Sequence, residues 1–170
     1  MSKFLTALLA SALLLSGCDE APTAAAGNMA AKPDTLSVQS DADIRTDLAV
    51  LNPVINTANS SAVGVRDELV KLGRNGDKAA INAVMTKSKA MFESANASLS
   101  ALALKSSEVQ QLRLDIYQGN MLAIKLHELY LKPDASAEDK KEMALLQRQS
   151  LVLQEQTGDK LDALNAKYKK

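Results

Sequence analysis

From Ile44 onward, apolar residues recur at alternating spacings of three and four, the period of helices that bury one stripe. The first stripe runs from Ile44, Leu48, Leu51 and Ile55 through Ala58, Ala62 and Val65 to Leu72. A second links Ile81, Met85, Ser88, Phe92, Ala95 and Leu99 to Leu102, and a third links Val109, Leu112, Ile116, Gly119 and Ala123 to Tyr130. The fourth runs from Met143 through Leu146, Ser150, Leu153 and Thr157 to Tyr168, slipping by one residue near Gly158. Three breaks separate them. Gly73 to Asp77 is a strong turn, with Asn75 or Asp77 as helix cap; Ser107 with Gln110 makes a capping box; Pro133 stops one helix, and Ser136 with Asp139 starts the next. The pattern predicts an all-α, antiparallel up-down-up-down four-helix bundle over 41–170. Pro53 lies off the first stripe and the spacing stays in phase across it, so one long helix kinked there is expected, rather than two with Asn52 as a cap.

Small residues interrupt the stripes at Ala58, Ala62, Ser88, Ala95, Gly119, Ser150 and Thr157. Close helix packing is the plain explanation and is favoured; a small ligand pocket is the alternative.

Upstream of the bundle the chain changes character. Lys3 precedes an apolar run from Phe4 to Leu15 that is too short to span a bilayer. Leu15-Ser16-Gly17-Cys18 follows, and it resembles the bacterial lipobox. That resemblance implies cleavage between Gly17 and Cys18, and acyl chains of the palmitate type on Cys18. Two or more chains anchor stably, since each buried methylene contributes about 0.8 kcal/mol. Asp19-Glu20 resembles the signal that retains lipoproteins in the inner membrane, so a periplasm-facing, inner-membrane anchor is expected. Residues 19–39 are rich in Ala, Pro, Thr and Ser without apolar period and read as a tether of about 25 Å reach. Three segments result: a signal over 1–17, lipidated Cys18 with its tether over 18–40, and the bundle over 41–170.

The predicted topology places the first helix's start beside the fourth helix's end. Lys167, Lys169 and Lys170 then stand near the tether as candidate membrane-proximal basic residues. Compensation of the helix dipole explains them more simply, and Asp41 and Asp43 lie at the same end. Toward the other end, His127, Met85 and Met143 fall at similar heights, near Glu128, Tyr130 and Glu142. Imidazole with thioether suits copper(I) or haem iron. Core packing of the methionines is the favoured explanation. Bundled b-type cytochromes place His and Met on their terminal helices, and this fourth helix has no His. No cofactor is expected beyond the lipid on Cys18.

Charge is balanced at 20 Lys and Arg against 20 Asp and Glu, so no basic face points to nucleic acid. With one Cys, disulfides are excluded and packing alone must hold the fold. One His, no phosphate loop and no nucleophile motif argue against an enzyme. The expectation is a membrane-anchored binding or adaptor module for another envelope protein. Rival readings are a metal or haem carrier on His127, and self-association through leftover apolar positions such as Val50, Leu145 and Val152.

Overall fold

A computed structural model describes residues 29–30, 35–73 and 76–168. Its four helices are α1 (Asp41–Leu72), α2 (Lys78–Ala101), α3 (Ser107–Tyr130) and α4 (Ala137–Tyr168). The signal segment, Gly17, Cys18, Lys169 and Lys170 lie outside the described residues. Among the described residues, no helix is long and apolar enough to cross a membrane.

α1 is one helix with Pro53 inside it, and the first stripe stays in phase across the proline. Ser40 caps its start by accepting a hydrogen bond from the Asp43 amide. Its end is set by Gly73, whose φ of 61° suits glycine and lets its N–H donate to the carbonyls of Leu69 and Val70. Asp77 caps α2 through the Ala80 amide at 2.7 Å. α4 opens with a reciprocal box. The Ser136 amide donates to Asp139 at 2.9 Å, and the Asp139 amide donates to the Ser136 hydroxyl at 3.0 Å. The third start differs from expectation. Ser106, not Ser107, is the cap residue, and no side chain closes a box there. The Ser106 hydroxyl is committed to Asp47, and the Gln110 amide group to the Met29 carbonyl.

Consecutive helices pair along their lengths. Between α2 and α3, Lys89 meets Glu128 and Asn96 meets Asn120; between α3 and α4, Asp115 meets Lys160 and Lys125 meets Glu142. The residue number rises on one helix as it falls on the next. The core is densest where α1 and α3 begin and α2 and α4 end. There Ile44, Leu48, Leu51, Leu99, Leu104, Val109, Leu112 and Tyr168 pack with Met29. Tyr130, on the expected third stripe, is 42% exposed instead, because it sits in the last turn before the α3–α4 connection.

Two charged residues are embedded in this core. Asp47 on α1 accepts bonds from the Lys105 amide, the Ser106 amide at 2.7 Å and the Ser106 hydroxyl at 2.6 Å. Arg113 on α3 has no exposed surface. Its guanidinium donates to the Leu102 carbonyl at 2.7 Å, the Met29 carbonyl at 3.1 Å and the Ala30 carbonyl at 3.2 Å. Burial pushes the Arg113 pKa down, and the Asp47 charge offsets only part of that shift. Asp47 thus holds the α2–α3 connection, while Arg113 satisfies the end of α2 and a strap from upstream.

That strap is the described part of the segment read as tether. Its residues 29–30 and 35–40 lie on the bundle. Ser37 bridges to Ser106, with its amide donating to Lys105 at 2.8 Å and its carbonyl accepting from Ser107 at 2.9 Å. Gln39 has a φ of 57° and donates its amide to the Glu108 carboxylate at 2.7 Å. Burial raises the Glu108 pKa, but this bond and others outweigh it, so the net shift is downward.

Removing the Asp47 carboxylate strands two amides and a hydroxyl in a dry site. Asp47→Ala is therefore expected to lose about 3–5 kcal/mol of stability in urea unfolding. At α4's start, Lys132 first and Ser136 next push the Asp139 pKa down to about 2 from its ordinary 3.8. A lowered folded-state value makes the contribution full above about pH 4 and lost as pH falls through about 2. Protection from amide exchange at Asp139 and Lys140, relative to the intrinsic rate at each pH, should fall across that window before the core opens.

Candidate functional site: the cleft between the first and last helices

α1 and α4 meet at one end through Asn52 and Asn165, whose amides exchange hydrogen bonds of 2.9 and 3.4 Å. Beyond that clasp lies a cleft of about 380 Å³, with walls contributed by all four helices. The sequence predisposes it to open. Ala58 and Ala62 on α1, Ala95 on α2, Gly119 on α3, and Ser150, Thr157 and Gly158 on α4 line it, and these short side chains cannot fill the bundle's axis. Six of these seven are the small stripe residues named from sequence. Ser88, the remaining small stripe residue, is buried instead.

Ile55, Phe92, Ile116, Leu153 and Leu161 give the walls their apolar character. The polar groups around them are mostly spoken for. Asp115, nearly buried, is paired with Lys160 at 2.6 Å and accepts from Gln111 at 2.9 Å. Asn120 donates to Asn96 at 2.8 Å, and Asn96 donates to the Met121 sulfur at 3.5 Å. A neutralised carboxylate and bonded amides provide orientation and little reactivity. Such a cleft suits an apolar surface bordered by hydrogen-bonding groups.

His127 lies near α3's end, its ring tilted at 42° to Phe92 with centroids 5.8 Å apart. Its Nδ1 is 2.5 Å from the Ala123 carbonyl, an acceptor, so Nδ1 carries the proton and Nε2 is the nitrogen left for other partners. Met85 and Met143 are half-buried on α2 and α4. The neighbouring carboxylates are engaged, Glu128 with Lys89 at 2.9 Å and Glu142 with Lys125 at 2.5 Å. Among the described residues, no group of three His, Cys, Asp or Glu side chains is placed to hold a metal ion. At the strap end, Lys167 lies 4.8 Å over the Tyr168 ring. Tyr168 chiefly, with Asp41 and Glu108, pushes the Lys167 pKa up.

Of the buried polar residues, Asp47, Arg113 and Asp115 are not among those singled out from sequence, and Gln110 figures there only as half of a capping box. The signal was present. Asp47 falls between Ile44 and Leu51 at helical spacing, and Arg113 falls between Val109 and Ile116. A charge inside an apolar stripe marks a buried polar contact.

Residues 45–169 match the family model described as "Uncharacterised lipoprotein PM1805". No curated protein and no solved structure matches the chain.

Gly119 tests how the cleft's openness trades against stability. A methyl group there would meet only a Leu153 methyl at 3.8 Å, an ordinary contact. Gly119→Ala is expected to stabilise the chain by about 0.5–1 kcal/mol, as in any unstrained helix interior, measured by urea unfolding.

Proposed function

Because the chain belongs to the uncharacterised lipoprotein family PM1805, whose place is the cell envelope, we propose that it is a lipid-anchored, non-catalytic adaptor that receives an apolar helical segment of another envelope protein between α1 and α4. The observation that carries this reading is the cleft: four helices meet around small side chains and leave an apolar trough open to solvent. An apolar ridge on a partner helix has the matching shape, and the Asn and Gln side chains at the rim supply hydrogen bonds. The engaged states of Asp115 and His127 favour binding over catalysis.

In this reading Cys18 carries the lipid, and the protein faces the periplasm from the inner membrane. Asp19 and Glu20 support that membrane over the outer one. Eleven peptide links separate Cys18 from Met29. Their span is at most about 40 Å, shorter than the roughly 48 Å length of a 32-residue helix. The strap therefore keeps Met29 within about 40 Å of the bilayer.

Photo-crosslinking in intact cells tests the assignment. A photoreactive residue at Ala62 or Thr157, both lining the cleft, should yield a discrete adduct with one envelope protein. The same residue at Val63, exposed and outside the lining, should not. Ala62→Trp should reduce the Thr157 adduct at least fivefold. Equal adducts at Val63, or none at either cleft position, would overturn the proposal.

A further inference from the structure

α4 is the least buried of the four helices; of its 32 residues only Leu146 and Tyr168 are buried. Its outer side has a definite pattern. Leu145, Leu151 and Val152 are 54%, 60% and 50% exposed, within two turns of one another. Elsewhere the exposed valines at 38, 50, 63 and 70 are scattered singly, which is ordinary for a protein surface. At 100° per residue, Leu145, Arg148, Leu151, Val152, Glu155 and Asp159 share a sector of about 120°. This sector lies away from the α1–α4 cleft, which α4 lines with Ser150, Thr157 and Leu161.

The charges in the sector are ordered. Arg148 precedes the apolar pair Leu151–Val152, and Glu155 and Asp159 follow it. None of the three makes an ion pair among the described residues. A stripe that is positive on one side of an apolar centre and negative on the other complements itself only when reversed. Rotating a second copy by 180° about an axis between Leu151 and Val152 places Arg148 of each copy opposite Glu155 of the other. The apolar pairs then meet at the axis. A parallel arrangement would set like charges against each other.

We infer that α4 is a self-association surface on which two copies of this chain pair in antiparallel, two-fold fashion, centred on Leu151 and Val152. The interface is isologous and closes at two copies. Exposed ion pairs contribute little each, and three apolar side chains make a small centre, so affinity in free solution is weak. Lipid anchoring compensates, because copies confined to one membrane meet at a high effective concentration. Each leash spans at most about 40 Å against helices of about 48 Å, so both anchors reach one bilayer only when α4 is tilted away from the membrane normal.

Disulfide trapping in native membranes tests this with the full lipidated chain. Leu151→Cys should give a dimer of twice the monomer mass under mild oxidation. The unaltered chain and Val70→Cys, exposed on α1, should not. Adding Arg148→Glu to the Leu151→Cys chain should lower the dimer yield at least fivefold, and adding Glu155→Arg as well should restore it. All three positions are exposed, so unchanged helical circular dichroism is expected throughout. Dimer yield unaffected by Arg148→Glu, no rescue by the double reversal, or a Leu151→Cys adduct with a different protein would each overturn the inference.

Discussion

Two charges buried in one core hold this fold together. Asp47 and Arg113 occupy positions where apolar side chains would cost less, since removing an ion from water costs several kcal/mol. They are stable there because backbone groups surround them. Asp47 gathers the orphan amides at the start of α3, and Arg113 gathers the orphan carbonyl groups at the end of α2. Their mutual attraction is secondary to these bonds. The α2–α3 connection thereby has its helix ends satisfied from inside, and the upstream strap is recruited to the same place. Loss of either charge would expose several unmet backbone groups together.

This concentration of order at one end explains the openness of the rest. Around Ile44, Leu112 and Tyr168 the side chains are large and buried. Toward the middle, alanine, glycine and serine replace them, and α1 and α4 separate around the cleft. A bundle fixed firmly at one end tolerates an unfilled axis further along, because its register does not depend on packing there. Rigidity and vacancy are complementary here.

Much of this was legible in the sequence. The four stripes gave the helices, the glycine at 73 and the Ser136–Asp139 pair gave two boundaries, and Pro53 proved compatible with a single α1. These are local signals, fixed by helical period and cap chemistry. The Ser107–Gln110 box was not formed because Ser106 and Gln110 were drawn to residues far away in sequence, and local rules do not see such competition. The cleft was half legible: its residues were named, but whether small side chains close an axis or leave it open depends on how far apart the helices stand. Buried charges were overlooked because charged residues are ordinarily assigned to solvent. Arg113 shows that position within an apolar stripe outweighs residue type.

The strap also carries a mechanical consequence. Tension applied through the strap does not act first on the opening turn of α1. It reaches Met29 and Ser37 first, where carbonyls and amides are clamped to Arg113, Gln110 and the 105–107 backbone. The load passes into the junction of α2 and α3, where Asp47 and Arg113 bind the backbone. The cleft, beyond the Asn52–Asn165 clasp, lies off that load path. A pull on the strap is thereby kept apart from the cleft, as a foundation keeps a bearing apart from the ground.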